Sequence, residues 1–566
     1  MFFLPKYLKM CYFCNQIFKK EWRGKSGEGR GKRTPIPNPR TTIPDFRTSN
    51  NDKRTTKYMT KIISLLALVA VLLLSSCSST DDKLRSMIPD DAVGVVRVNL
   101  PSVLRKAGIM TGEGKEATLS VPAELKAVID QSNENIVDDV NVFGDVINNM
   151  PESGIDMNSN CYFFLSKGIL QSVALLPLDD EDKAEEMVGK IVGEKMKEMS
   201  GVKFVSHFDY AFAIDDEVLL IARKVNASDD AASALAKSIL GKSKPSLLEN
   251  EDVSKAIDVE DCDITAYIAA KGLPLVFENS IKTASGDFSP ADIIDGSGIK
   301  AITATINFND SKKGEERVDI VTDFICANNS MYGLLYDKVV ATAADTDGAS
   351  ALEAVPGDFD TYFAIKVNGS ELTKMPGVSK LLENIPLKGI NVGEVVSSLN
   401  GALVCGLQKQ GEGDFNFGVS SQCSLPDVVV NEIVKFGNLH GQAPVFNAKG
   451  EYQYDTTSGD KALVMNKTDD VVYVRCVNYV PTSSASDWPL FVNTLKQSTM
   501  ALFKLIDIGG KHEGNLCWGL HNKTHGEGIY FAEDPDDNIV ISTLKFLCWR
   551  EPGNISDNEE IGLSDY

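Results

Sequence analysis

Apolar and polar residues alternate along much of the chain in short runs that predict β-strands joined by tight turns. An early apolar run from Val93 to Val98 predicts a strand, and a helix is expected to start directly after it. The segment CYFFLSKGILQSVALLPL predicts a β-hairpin that turns at Lys167-Gly168. An amphipathic helix is expected from Asp179, because a carboxylate there can accept hydrogen bonds from the free N–H groups of a helix start.

The same order of predicted elements occurs twice, which indicates an internal duplication. Residues 88–109 and 355–378 each contain a Pro-x-Asp turn, a strand that ends in Val-Asn and a leucine-bearing helix. A hairpin, a helix, two strands around an acidic turn and a final hairpin then follow in both halves. We therefore predict an α+β fold made of two tandem related units, each with antiparallel strands, hairpins and packed helices.

The start of the chain contains a short apolar run of the kind found in secretion signals. Lys61 precedes the apolar residues 62–74, which are too few for a membrane-spanning helix of about 20 residues. The run ends in Leu74-Ser75-Ser76-Cys77, which resembles the bacterial lipobox. That resemblance implies cleavage before Cys77 and acylation of this residue, which would hold the protein firmly to a membrane. An uncleaved anchor and a non-lipidated secretory signal are the alternatives.

These patterns divide the chain into seven predicted segments. We expect translation to begin at Met59, because the residues before it are basic and interrupted by prolines. The segments are a basic leader without structural consequence (1–58), a lipoprotein signal peptide (59–76), a tether (77–86), the first α+β repeat (87–340), a small, polar linker (341–354), the second α+β repeat (355–550) and an acidic tail (551–566).

The charge balance argues against nucleic acid as a partner. The 566 residues carry a net charge of −22, and the basic residues 1–58 contribute +10, so the remainder carries −32. Such an acidic body repels phosphate backbones and anionic membrane surfaces. Contact with a membrane is therefore expected through the N-terminal lipid anchor alone, with an envelope protein or a glycan as the candidate partner.

The turn and strand from Ile88 to Val98, a short distance after a lipoprotein signal, resemble a known group of proteins. The chain is similar here to Bacteroidales envelope lipoproteins of domain-of-unknown-function family 4836. This resemblance implies an outer-membrane lipoprotein that faces the periplasm or the cell exterior, and it brings no catalytic residues. In such bacteria acidic residues after the acylated cysteine accompany surface export, and Asp81-Asp82 is similar to a weak form of that signal.

The best candidate for chemistry is a group of residues near the C-terminus: His512, Cys517, His521 and His525. Two histidines four residues apart lie on one face of a helix and can bind a metal there. The segment HNKTHGEG contains Asn, Thr and two glycines, however, which is typical of a hairpin turn. We interpret it as a polar turn and expect no metal, no cofactor and no catalytic residue, so that Cys77 is the one functional position assigned.

One further motif does not have the spacing that its chemistry requires. Leu240-Gly241-Lys242-Ser243 suggests a phosphate loop, but Ala236 occupies the position of the glycine that lets such a loop curl around phosphate.

The eight cysteines after Cys77 are dispersed, mostly in apolar runs, which favours buried free thiols over a disulfide framework.

The tryptophans distinguish the two main hypotheses about function. Our leading hypothesis is a non-enzymatic, lipid-anchored envelope protein that acts through binding or in a structural role. The alternative is a glycan-binding or carbohydrate-active accessory lipoprotein, in which Trp488, Trp518 or Trp549 would line a cleft with two facing carboxylates. A metal-dependent hydrolase that uses the region His512–His525 is a third and weaker hypothesis.

Overall fold

The computed structural model describes the chain from Ser78 to Cys548, with gaps. The residues left out within this span are 113–117, 128–151, 208, 273–280, 284–285, 289–296, 310–316, 344–347, 356–358, 376, 379–381, 383–388, 412–413, 440–442, 448–449, 456–461, 477–487, 509–510 and 534–537. Residues 1–77, with Cys77, and residues 549–566, with Trp549, also lie outside the described part.

The described residues form an α+β fold, as expected. The helices with described bounds are α1 (Ser78–Met87), α2 (Leu100–Lys106), α3 (Glu181–Val192), α4 (Asp229–Leu240), α5 (Glu251–Ile257), α6 (Met331–Leu335), α7 (Ala349–Glu353), α8 (Gly369–Lys374), α9 (Val392–Ser398), α10 (Pro426–Leu439), α11 (Trp488–Gln497) and α12 (Ile539–Cys548). A π-helical turn, Tyr336–Val340, continues α6, and short 3₁₀ turns cover Leu247–Glu249, Ala270–Gly272 and Ala341–Ala343.

The strands range from two to 13 residues and are mostly joined by hairpins. Their bounds are β1 (Gly94–Val98), β2 (Met110–Thr111), β3 (Thr118–Leu119), β4 (Cys161–Leu165), β5 (Leu170–Pro177), β6 (Lys197–Met199), β7 (Val202–His207), β8 (Tyr210–Asp215), β9 (Val218–Lys224), β10 (Ile264–Ala269), β11 (Ile281–Thr283), β12 (Gly286–Phe288), β13 (Ile299–Asn309), β14 (Arg317–Cys326), β15 (Thr361–Asn368), β16 (Leu399–Gly411), β17 (Asp414–Cys423), β18 (Val445–Phe446), β19 (Tyr452–Asp455), β20 (Ala462–Lys467), β21 (Val471–Cys476), β22 (Met500–Ile508), β23 (Lys511–Leu520) and β24 (His525–Ala532).

Twenty of these strands form one antiparallel sheet. The hydrogen-bonded neighbours follow the order β6-β7-β8-β9-β5-β4-β1-β10-β13-β14-β24-β23-β22-β15-β16-β17-β21-β20-β19-β18. The remaining strands pair outside it, β2 with β3 and β11 with β12.

The pairing of β14 with β24 lies at the middle of the sheet, and we call it the seam. Its register runs from Arg317 opposite Phe531 to Asp323 opposite His525. Arm one is the ten strands from β14 outward to β6, and arm two is the ten from β24 outward to β18. When the strands of each arm are numbered along the chain, both arms have the order 10-9-8-1-2-3-7-6-5-4 outward from the seam.

Helices cover both faces of the sheet in arm one. On β4, Cys161 and Phe163 point into a core with α2, α3 and α12, whereas Tyr162 and Phe164 point into a core with α1, α4 and α5. Successive strand residues face opposite sides of a sheet, so a strand covered on both faces is a continuous apolar run. This is why CYFFL lacks the usual alternation.

Each arm ends with a helix that packs across the seam. The π-helical turn after β14 carries Val339, which packs with Val367 and Met375 of arm two. After β24, α12 carries Val540, which belongs to a core that also contains Leu104 and Phe308 of arm one. The two arms therefore share their cores at the seam. The last helix of the predicted second repeat, residues 355–550, therefore packs on arm one.

The segments predicted as tether and linker each contain a helix that precedes the first strand of an arm. Residues 77–86 were expected to form a tether, but α1 starts at Ser78 and buries Leu84 completely. Residues 341–354 were expected to form a linker, but α7 within them buries Ala351 and Leu352 beside β16 and β17. Both segments are rich in small or charged residues. Their few apolar residues still hold them to the core, because the helical spacing places these apolar residues on one face.

Candidate functional site

The proposed lipidation site lies immediately before α1. Cys77 is outside the described residues, and Ser78 begins the helix. Asp81 accepts hydrogen bonds from the Tyr162 hydroxyl at 2.9 Å and from Asn160 Nδ2 at 2.8 Å. Arg85 Nη2 donates to Asp258 Oδ2 at 2.7 Å. These contacts hold α1 against arm one and give Asp81 a structural role within the fold.

Two of the four candidate metal ligands, His521 and His525, meet at the seam. They flank the turn between β23 and β24, and their ring centroids are 6.4 Å apart. Cys517 is buried within β23, where its thiol contacts the Thr494 hydroxyl at 3.2 Å, and the side chain of His512 lies outside the described part. Within the residues that the structure describes, no three His, Cys, Asp or Glu side chains are arranged to hold a metal ion.

The imidazole of His525 lies between two carboxylates. Its Nδ1 is 2.8 Å from Asp323 Oδ1 of arm one, and its Nε2 is 3.1 Å from Glu527 Oε1. The hydrogen bond to Asp323, and secondly that to Glu527, raise the pKa of His525. Protonation of this ring therefore strengthens a contact between β14 and β24, which makes the cluster a link between the arms.

Trp518 lies on β23 and packs beside the seam. Its Nε1 donates to Thr322 Oγ1 at 3.1 Å, and its ring packs against a core that contains Phe324 and Tyr336. Gly526 and Gly528 give it room, since a Cβ added at Gly526 would lie 2.5 Å from the ring. These glycines belong to β24, so the predicted polar turn is confined to residues 521–524. The side chains of Trp488 and Trp549 lie outside the described residues.

A pocket of about 350 Å³ lies in arm one, beside the end of α1, the β4–β5 turn and the end of α4. Its floor is apolar and includes Met87, Phe164, Leu170, Leu235 and Ile239. Its rim carries the charged residues Lys167, Lys242, Lys244 and Asp91. Lys244 Nζ pairs with Asp91 Oδ2 at 2.6 Å, whereas Lys167 and Lys242 form no salt bridge with any residue that the structure describes.

Sequence reasoning did not identify this pocket. Lys242 and Ser243 belong to the segment LGKS, which we considered only as a phosphate loop. In the structure they follow the C-terminus of α4, and Lys242 has a φ of +53°. The closely spaced Lys242 and Lys244 within an acidic chain were the available signal, but the apolar residues of the pocket come from segments far apart in the sequence.

The outer edges of the two arms differ in polarity. In arm one the edge strand β6 presents Lys197 and Glu198 to solvent. In arm two the edge strand β18 presents Val445 and Phe446, which are 64% and 62% exposed. Charged residues on an edge strand oppose pairing with another chain, whereas exposed apolar residues favour it. Arm two therefore has the edge that is better suited to contact a partner.

Together these features define an α+β protein built on a two-armed antiparallel sheet with a cation-rimmed pocket. The family model for DUF4836, a domain of unknown function, matches residues 84–470. The chain belongs to the DUF4836 family. That match confirms the family resemblance drawn from Ile88 to Val98, and no curated protein sequence matches the chain.

Solved structures of a protein named TP0453 have a distant likeness to this chain. Its crystal form III has a TM-score of 0.27 at 9% identity, over 45% of this chain and 86% of that one. Crystal form IV has a TM-score of 0.25 at 8% identity, over 45% and 84%. TM-scores this low do not define a shared fold. Within the described residues, no helix has both the length and the apolar character needed to cross a bilayer.

Proposed function

We propose that this DUF4836 chain is a lipid-anchored, non-enzymatic binding protein of the Bacteroidales cell envelope. Acyl chains on Cys77 would hold it to the outer membrane, and the edge of arm two would bind another envelope protein. The observation that carries the proposal of binding is the pair of exposed apolar residues on β18, at a position where arm one carries charges.

The anchoring part rests on the sequence before α1. Leu74-Ser75-Ser76-Cys77 is similar to a lipobox, and the apolar run before it has the length of a signal-peptide core. Because α1 begins at Ser78 and is packed on arm one, acylation of Cys77 would place the lipid next to the first folded residue, with no linker between them. Arm one would then lie near the membrane surface.

The binding part rests on the β18 edge. Phe446 contacts Tyr452 edge-on with ring centroids 4.9 Å apart, which holds its ring in place while most of it stays exposed. A sheet edge with exposed apolar side chains can accept an added strand, whose backbone pairs with the edge and whose side chains cover the apolar ones. The proposed partner is therefore a protein that offers an extended segment.

We further propose that the two arms are tandem related units that arose by duplication. Their strand orders agree, and so does one contact outside the sheet. Arg97 on β1 donates to the carbonyls of Ile257 and Val259 at the end of α5, each at 3.2 Å. Lys366, at the matching place on β15, lies 3.5 Å from the carbonyl of Lys496 at the end of α11. In both arms a cation of the first strand interacts with a carbonyl of the last turn of a helix, Ile257 in α5 and Lys496 in α11.

Metabolic labelling with an alkyne-tagged palmitate tests the anchoring. We expect the full chain to take up label and to partition into the detergent phase of Triton X-114, and the Cys77→Ser variant to do neither. Cys548→Ser is the matched control and is expected to behave as the unaltered chain. Label that persists in Cys77→Ser would overturn the anchoring proposal.

Native electrophoresis of mildly solubilised envelopes tests the binding. We expect the chain to migrate in a complex larger than a single copy of the processed chain, and the Val445→Lys/Phe446→Glu variant to migrate as a single chain. Lys197→Ala/Glu198→Ala at the arm-one edge is the control and should keep the complex. Equal migration of all three proteins would contradict the proposal.

A further inference from the structure

The pocket in arm one combines an apolar floor with an excess of positive charge. Its rim holds three lysines and one aspartate, and the salt bridge between Lys244 and Asp91 neutralises the charge of the aspartate. Lys167 and Lys242 remain as two exposed ammonium groups beside the floor. In a chain with a net charge of −22, two such groups around an apolar depression are a local reversal of the overall field.

The chemistry of this lining selects a particular kind of ligand. A neutral apolar molecule would leave the lysines without a counter-charge, and a small inorganic anion would leave the floor in contact with water. An anion with a hydrocarbon tail satisfies both parts, because its head can pair with the ammonium groups while its tail covers the floor. A volume of about 350 Å³ lies within the range of small-molecule pockets, roughly 300–1,000 Å³.

The position of the pocket agrees with this class of ligand. Met87 is both the last residue of α1 and part of the floor. A helix of this length spans about 15 Å, so the pocket lies a short distance from residue 77. If that residue is acylated, as proposed above, the pocket is close to a membrane and its lipids; only this step rests on the anchoring proposal.

We propose that the arm-one pocket binds an amphipathic anion, with the acidic head held by Lys167 and Lys242 and the hydrocarbon tail over Leu235 and the floor. A fatty-acid carboxylate and the phosphate of a single-chain phospholipid both offer this chemistry. The pocket lies within arm one, where Leu235 and Ile239 of α4 form one side of it.

Isothermal titration of the full chain in a Cys77→Ser background tests the proposal without interference from the protein's own acyl chains. The probes are hexanoate, octanoate and decanoate, followed by decyl phosphate and decylamine. We expect the carboxylates to bind with an affinity that rises about fourfold for each CH₂ that reaches the floor, and decylamine to show no binding. Tighter binding of decyl phosphate than of decanoate would identify the phospholipid as the source.

Charge reversal at the rim tests the role of the lysines. We expect Lys167→Glu/Lys242→Glu to weaken decanoate binding by about tenfold or more, with a circular dichroism spectrum equal to that of the parent. Lys195→Glu is the matched control, since Lys195 is exposed and does not line the pocket. Equal affinity in both variants, affinity independent of chain length, or binding of decylamine would overturn the proposal. A failure here leaves the anchoring through Cys77 untouched, because the background lacks the lipid.

Discussion

Arm one and arm two carry their ten strands in the same order, yet they finish their outer edges and cover their faces differently. Arm one ends in the charged strand β6, and its helix α4 lines the pocket. Arm two ends in β18 with Val445 and Phe446 exposed. The shared order depends on hairpins and buried faces, whereas the differences lie on surfaces that folding leaves free to vary. Functional differences between the arms should therefore be sought at those surfaces.

The largest effect is expected from removing the helix that crosses from arm two to arm one. A chain that stops after residue 537 loses the buried side chains of Ile539, Val540 and Ile541 and the 2.7 Å hydrogen bond from Asn538 Nδ2 to the Lys106 carbonyl. At about 1.5–3 kcal/mol for each buried side chain, the loss approaches the whole free energy of unfolding. We expect a chain that is unfolded or strongly destabilised in urea titrations followed by circular dichroism.

A chain that stops after residue 548 is the control for this truncation and should retain the parent's urea midpoint. If the shorter chain also keeps that midpoint, the arms do not share a core through α12.

The next largest effect concerns the helices that begin each arm. Leu84 in α1 and Leu352 in α7 are almost completely buried, so each substitution by alanine should lower the free energy of unfolding by about 2–5 kcal/mol. Asp82→Ala, at an exposed position of α1, should change it by less than about 0.5 kcal/mol. A neutral Leu84→Ala would show that residues 77–86 behave as the tether that the sequence predicts.

A smaller effect is expected from His525 at the seam. The pKa of His525 is raised in the folded protein, so protonation of this ring stabilises the fold. This stabilisation is fully present below the pKa of about 6.5 that the residue has in the unfolded chain, and it is lost as pH rises through the pKa of the folded protein. His525→Gln should therefore lower the free energy of unfolding by up to about 1 kcal/mol at pH 6 and by little at pH 9.

The partner of His525 provides the control for this pH effect. The comparison is repeated in proteins that also carry Asp323→Asn. There, His525→Gln should change the free energy of unfolding less, and with a weaker dependence on pH, because the carboxylate at 2.8 Å is the main cause of the raised pKa of His525. A difference that is constant from pH 6 to pH 9 would contradict an electrostatic link at the seam.

The smallest effect on stability is expected where the arms differ most. Val445→Lys/Phe446→Glu gives β18 the residue types of β6 and should change the free energy of unfolding by no more than about 0.5 kcal/mol, since both side chains are mostly exposed. The same variant should lose the envelope complex. A large loss of stability would mean that Phe446 has a core role and that the edge is not free to bind.

The sequence predicts hairpins and helices well where turn chemistry and apolar runs agree. Asp180 accepts a hydrogen bond from the Lys183 N–H and caps the start of α3, and the β8–β9 turn falls at Asp216, which has a φ of +57°. Local sequence determines such features. The strand order could be proposed only as a repeat of elements, because pairing between β14 and β24 joins residues about 200 positions apart.

The site was harder to predict than the fold because its parts come from distant segments. The pocket joins Met87, Lys167 and Lys242, whose proximity depends on how α1 and α4 pack on the same face of the sheet. The edge at β18 could not be recognised either, since Val445 and Phe446 form a two-residue apolar run that equally suits a core position. Tertiary packing alone determines whether such residues are covered.

The most direct test of the difference between the arms is site-specific photo-crosslinking in intact cells. A photoreactive phenylalanine analogue is placed at Phe446 on the arm-two edge and, in a second strain, at Glu198 on the arm-one edge. We predict one discrete adduct that contains an envelope protein from position 446 and none from position 198. Adducts of equal yield from both positions, or none from position 446, would contradict the claim that arm two carries the binding edge.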